Sequence, residues 1–206
     1  QDVNEGGHAD ETAADAEEEL ERYIKNLLPD HCDLYQFHGV TKVEEVETIF
    51  GAGGAIETFE KARRAGKIRY IGFSAHSEEA AAALMDRFSF TSILFPFNWA
   101  CWYKGGFGPA TLAKAQEKGV ARLALKTLAK RAWNEGEERA WKKTWYSPVD
   151  TYEEAQLAMR FTLGNPITAM ATPRHEKFLW WACDAAENLK PLTPAEEEIL
   201  KKKAAE

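Results

Sequence analysis

The sequence predicts an α/β fold with parallel strands, and three observations predict it. Segments with helical spacing alternate with short apolar segments along almost the whole chain. The apolar segments are short, as strands are. Each pair of them is separated by enough residues for a helical crossover, which parallel neighbours require. This pattern fits a closed barrel and an open doubly wound sheet equally well. No G-x-G-x-x-G follows a strand, since Gly51-Ala52-Gly53-Gly54 sits in an irregular stretch before a helix, so the dinucleotide fingerprint of the open fold is missing.

Taken in order, residues 1–13 are polar and glycine-containing and read as a loop or disordered end. Residues 14–28 place Ala16, Leu20, Tyr23, Ile24 and Leu27 at helical spacing, and Pro29 ends that helix. Residues 32–37 read as a buried strand, and after an irregular stretch residues 54–65 read as an amphipathic helix closed by Gly66. A strand over 67–73 follows, then a helix over 78–87 with Ser77 as its N-cap and two acids in its first turn. Strands are predicted over 91–97, 120–127 and 167–171, and helices over 109–118, 151–163 and 175–188, with Pro194 opening the last. Residues 129–150 are left as a long aromatic-rich loop.

The 206 residues are 45% hydrophobic, enough for one sizeable core, so a single domain over 1–206 is expected. The net charge of −7 argues against a nucleic-acid partner, and the densest basic run, Lys201-Lys202-Lys203, reads as a solvated helix end. Cys32, Cys101 and Cys183 are odd in number and show no metal-ligand spacing, so no metal is predicted. With no apolar run long enough to span a bilayer and no signal-like start, no membrane partner and a cytoplasmic location are expected. The chain starts at Gln1 rather than Met, which suggests a segment upstream.

Two segments carry a resemblance. Asp33-Leu34-Tyr35-Gln36-Phe37-His38 and Gly66-Lys67-Ile68-Arg69-Tyr70-Ile71-Gly72-Phe73-Ser74 resemble, in order and at the right separation, two strands of the aldo-keto reductase family. Phe95-Pro96-Phe97-Asn98, Leu125-Lys126-Thr127-Leu128 and Lys190-Pro191-Leu192-Thr193 agree, and residues 136–161 look like a bacterial branch. The resemblance implies a (β/α)8 TIM barrel of which this chain holds about five units, strands four to eight, with the N-terminal strands missing. It implies NAD(P)H-dependent reduction of an aldehyde or ketone to an alcohol. The Tyr, Lys and Asp of the family's site would lie upstream, so only His38 maps from the catalytic set.

A lone histidine at a strand end is ordinarily a satisfied polar group; within this motif His38 is expected in the active site. Tyr35, of opposite parity, is read as packed core facing a helix rather than as a replacement acid. Ser74 matches the position that meets the nicotinamide amide, and His76 stands near where the family often has Asn. Leu94 occupies a position often held by Gln, while Asn98 ties backbone or touches cofactor. Lys126 ends the seventh strand as a cation for phosphate or ribose, or else as a surface lysine. Arg174 opens a helix and suits a 2′-phosphate, which favours NADP(H) over NAD(H). The tryptophans of 133–146 are expected to wall a small-molecule carbonyl site. The alternatives are a non-catalytic partial-barrel binding or assembly module, which self-associates through exposed barrel edges, and a subunit that binds cofactor without turnover.

Overall fold

Four phenylalanines set the frame of the first part of the chain. In the computed structural model, which describes residues 12–27 and 30–206, Phe37 stacks on Phe59 at 4.1 Å between ring centres. Phe90 meets Phe73 at 4.8 Å and Phe37 at 6.2 Å, edge to face. All four are buried, and such ring pairs contribute beyond the area they remove from water.

By its internal contacts the chain forms two compact units, Gln1–Leu94 with Lys114–Ala121, and Phe95–Ala113 with Arg122–Glu206. The first begins with α1 (Ala13–Leu27), β1 (Cys32–Val40), α2 (Val43–Phe50) and α3 (Ala55–Arg64). It continues with β2 (Ile68–Ala75), α4 (Glu78–Arg87) and β3 (Ser92–Phe95). Then come α5 (Trp99–Gly105), α6 (Pro109–Glu117), β4 (Ala121–Ala124), β5 (Ala129–Arg131) and β6 (Ser147–Pro148). The last elements are α7 (Tyr152–Gly164), β7 (Ala169–Met170), α8 (Glu176–Glu187) and α9 (Pro194–Ala205). Of the loop expected over residues 1–13, residues 1–11 lie outside the described residues; Thr12 bridges to Gly54, and α1 already starts at Ala13.

The α/β class with parallel strands is what the structure has: the five-stranded sheet runs β1-β2-β3-β4-β7, and β1 with β2, β2 with β3, and β4 with β7 pair in parallel. Within the first unit α1 packs on α3 through buried Ala16 and Leu20, and Thr58 donates its hydroxyl hydrogen to Ala13 O at 2.6 Å. In the second, Trp99, Leu128, Met159, Phe161, Phe178 and Leu200 are the large members of the core. Arg160 of α7 holds Glu196 of α9 with two bonds of 2.7 Å, and Glu196 also caps its own helix from Thr193.

Four departures from the sequence reading have physical causes. Strand β1 runs three residues further than expected, to Val40, through His38 and Gly39. The irregular stretch after it contains α2, whose eight residues include four β-branched ones and give a weak helical signal. It is held by Glu45, which accepts from the amides of Thr41 and Lys42 at 2.6 and 3.1 Å. Helix α5 is a seven-residue aromatic segment framed by Asn98 and by Gly106 at φ 61°. The loop over 129–150 contains an antiparallel ribbon, with Ala129 opposite Pro148 and Arg131 opposite Ser147. Two bonds from Arg131 to Glu137, of 2.8 and 2.7 Å, and one from the Trp133 indole to Thr144 O fix the chain between its strands.

Candidate active site

The parity of β1 divides its side chains. Tyr35 and Phe37 turn to the helices, with Tyr35 buried 4.8 Å from the Phe59 ring and 6.0 Å from Tyr23. Tyr35 is thus core, as its parity indicated. Leu34, Gln36 and His38 lie on the opposite face, where the register aligns Leu34 with Tyr70 and Gln36 with Gly72. On β3, Ser92 pairs with Gly72 and Leu94 with Ser74. Gln36 reaches across Gly72 and donates to Ser92 Oγ at 3.1 Å. A Cβ at Gly72 would stand 2.2 Å from that oxygen and 2.9 Å from Gln36 Nε2, so the crossing requires glycine.

His38 comes next on this face, half-buried at the C-terminal end of the strand. Between Phe37 and Val40 the pairing slips by one residue, and Gly39 takes φ 64°. This is a bulge with its left-handed residue on glycine. The turned-out Gly39 amide donates to Ser74 Oγ at 2.7 Å, and Ser74 is 3% exposed. The His76 amide closes the ladder by donating to Val40 O at 2.9 Å, and its side chain is exposed. His38, Ser74 and His76 are therefore brought toward the C-terminal ends of two paired strands, with the bulge directly after His38.

In the second unit, Asn98 accepts from Cys101 N at 2.8 Å as the cap of α5, and its amide donates to Lys126 O at 2.9 Å. The same carbonyl accepts from Ala129 N at 2.8 Å. Lys126 has φ 59°, the one positive value outside glycine among the described residues. That conformation costs a side-chain-bearing residue about 1–2 kcal/mol. Burial pushes the Lys126 amine below its ordinary value, and burial pushes the neighbouring Cys101 thiol above its own. Next in the chain, the Thr127 hydroxyl is fully buried and has no protein hydrogen-bond partner.

Arg174 stands in the turn before α8, whose N-cap is His175: its Nδ1 accepts from Lys177 N at 3.1 Å. Here lies a cavity of ≈ 530 Å³ lined by Trp141, Lys142, Lys143, Arg174, His175 and Glu176, with Ala140 and Thr144. Trp141 packs on His175 and Phe178 at 4.7 and 4.8 Å, and the Lys177 amine lies 5.3 Å from the Trp141 ring and 4.5 Å from the Trp181 ring. The sequence reading missed Lys142 and Lys143; the available signal was a pair of lysines directly after a tryptophan in an otherwise mixed-charge loop. Burial pushes Tyr146 up to about 12, so it stays protonated. Trp145 is 79% exposed and Trp180 69%, whereas Trp181 packs 5.7 Å from Phe178. Among the described residues no group of three or more His, Cys, Asp or Glu could hold a metal, and no helix is long and apolar enough to cross a membrane.

His38, Ser74 and His76 stand toward the C-terminal ends of parallel strands, the end at which both open-sheet and barrel α/β proteins present their chemistry. The profile of the aldo/keto reductase family matches residues 2–163, and the chain belongs to that family. It is 29% identical over 97 residues to an uncharacterized oxidoreductase, YqkF, of Bacillus subtilis, a match covering 47% of this chain and 30% of that protein. Among solved structures it resembles the holo form of aldo-keto reductase AKR11C1 from Bacillus halodurans, at 22% identity and a TM-score of 0.63. That match covers 95% of this chain and 69% of the other. An aldo/keto reductase from Brucella melitensis superposes with a TM-score of 0.62 at 13% identity over 95% of this chain and 70% of its own. These likenesses show the fold.

Proposed function

We propose that this chain carries part of the site of an NAD(P)H-dependent carbonyl reductase that converts a small aldehyde or ketone to an alcohol. The observation that carries the reading is the family match together with His38 near a strand end, beside a glycine bulge. The nicotinamide cofactor would supply the hydride. His38 would donate a hydrogen bond to the substrate carbonyl, where negative charge develops. The family's tyrosine acid, lysine and aspartate belong to strands that precede the one bearing His38.

The residues fit the phosphate end of such a cofactor. Arg174, Lys142 and Lys143 put three cations on one cavity beside the N-terminus of the twelve-residue α8, and Arg pairs with phosphate through two parallel bonds. This supports NADP(H) over NAD(H). Toward the amide end, Ser74 already accepts from Gly39 and keeps one hydroxyl hydrogen to donate. His76, exposed at the end of the paired strand, is read as standing in for the family's Asn. Asn98 uses both ends of its amide on backbone, so its contribution would be to position the Lys126 backbone, with Lys126 read as a cation for phosphate or ribose. The same reading holds the protein to be cytoplasmic, with a carbonyl small molecule as partner and no nucleic acid or membrane, and lets it self-associate through β1 and β7, the edges of the sheet.

Cofactor titration tests this. NADPH is expected to bind more tightly than NADH, and Arg174→Ala is expected to weaken NADPH about tenfold, one charge-assisted pair, while leaving NADH unchanged. Equal losses for both cofactors would remove the 2′-phosphate assignment. NADPH binding without consumption over a panel of aldehydes would favour a subunit that binds cofactor without turnover. No binding of either would sink the reductase reading for this chain.

A further inference from the structure

We infer that the cleft of the first unit that holds Arg63, Arg87 and Lys118 binds a small phosphate monoester with an apolar body. The inference goes beyond the reductase reading and does not rest on it. A cavity of ≈ 460 Å³ lies there, and every residue that lines it belongs to the first unit. Arg63 is in the last turn of α3, Arg87 ends α4, and Lys118 directly follows α6. The chain runs from Phe90, on the cavity, into the start of β3. The cavity is thus at the N-terminal end of that strand, whereas His38, Ser74 and His76 stand toward the C-terminal ends of theirs. An occupant would not compete with the candidate active site. The N-terminal ends of barrel strands serve stability rather than chemistry, which makes this a binding site and not a second catalytic one.

Three cations face one carboxylate, Asp86, in a chain whose net charge is −7. A phosphate monoester, with close to two negative charges near neutral pH, matches that excess. Each arginine gives one nitrogen to a carboxylate, Arg63 to Glu60 at 3.3 Å and Arg87 to Glu47 at 2.8 Å. Among the described residues their other guanidinium nitrogens have no hydrogen-bond partner. Exposed pairs of this kind are weak, so a dianion can share or displace them. Rings hold both guanidinium groups in place: Arg63 lies 5.7 Å from the centre of Phe88, and Arg87 lies 5.7 Å from that of Phe50. Ser89 adds two donors, since neither its amide nor its hydroxyl bonds another described residue. Buried Met85, Phe90 and Val120, with half-buried Phe88, supply the apolar part of the lining. The cavity is roomier than a bare phosphate needs and has the size that small organic ligands fill. Cations at helix ends also offset the last carbonyls, but that role requires no cavity, no apolar lining and no unpaired serine.

The test is a titration of the isotopically labelled full chain with phenyl phosphate, read from amide chemical shifts. No nicotinamide cofactor is present, so the result is independent of the reductase reading. Saturable shifts are expected at Ser89 and Phe90. Phenol and inorganic phosphate are each expected to bind about tenfold more weakly, because each lacks one half of the ligand. Arg63→Gln and Arg87→Gln, whose fold the same spectra report, should each weaken the ester about tenfold, one charge-assisted pair. Glu47→Gln releases Arg87 and should tighten the ester about threefold. Shifts confined to residues 140–144 and 174–176 would place the phosphate in the other cavity and overturn the inference. So would phenol or inorganic phosphate binding as tightly as the ester, or an affinity unchanged in either arginine variant.

Discussion

Replacing Lys126 by glycine and by alanine separates its backbone from its side chain. Both variants remove the amine, so whatever the amine contributes cancels between them. At an ordinary position glycine is the worse residue by about 0.5–1 kcal/mol, because it loses more backbone freedom on folding. At φ 59° alanine keeps a left-handed penalty of about 1–2 kcal/mol that glycine escapes. The difference inverts the usual order, with Lys126→Gly more stable than Lys126→Ala by about 0.5–1 kcal/mol. In a protein of this length that is roughly 1–4 °C in Tm. Thermal melts and urea titrations of the two variants, followed by circular dichroism, make the comparison. If alanine equals or exceeds glycine, the left-handed backbone is not a feature of the folded chain, and the argument for a strained Lys126 fails with it.

Other expectations follow from the same geometry. Gly72→Ala forces a Cβ to within 2.2 Å of Ser92 Oγ and should cost about 2 kcal/mol, as overpacking does. Adding Ser92→Gly should recover about 1 kcal/mol of it, whereas strict additivity in urea titrations would show that the two sites do not touch. Phe59→Ala opens a hole between the Phe37 and Tyr35 rings and should cost about 3–5 kcal/mol by urea denaturation, and a loss below about 1 kcal/mol would mean the stack is not formed. The Arg160 guanidinium, with the Thr193 amide next, holds Glu196 at about 2, below its ordinary 4.5. The stability from that pair is full above pH 4.5 and lost as pH falls toward 2, so Glu196→Gln should melt with a shallower pH dependence there; matching slopes would assign the pair no role.

The class of fold was legible because short, largely apolar strands at 32–37, 67–73 and 91–97 alternate with helices, and the helices carry caps such as Ser77, which does accept from Ala80 N. Less visible were elements whose stability is tertiary. Helix α2 depends on one glutamate folding back on two amides, and α5 on the double use of Asn98. Propensity registers neither. At the site, His38 was found through its strand motif, while the bulge beside it is tied by a hydrogen bond from Gly39 to a serine thirty-five residues later. The strain at Lys126 could not be read from sequence, since only glycine or asparagine advertises a left-handed residue. Lys142 and Lys143 join Arg174 only because the ribbon of β5 and β6 folds the loop back on α8.

The division of the chain has an optical consequence. All seven tryptophans, from Trp99 to Trp181, fall in the unit of Phe95–Ala113 and Arg122–Glu206, and none in the other. Intrinsic tryptophan emission is therefore a one-sided reporter. It follows the loss of structure around α7 and α8 and is blind to the phenylalanine stack around Phe59, which only the far-ultraviolet dichroism of its helices and strands reveals. Where the two signals trace the same transition, the units melt as one cooperative body. Where emission and dichroism part company, the gap between their midpoints measures how much stability one unit holds without the other.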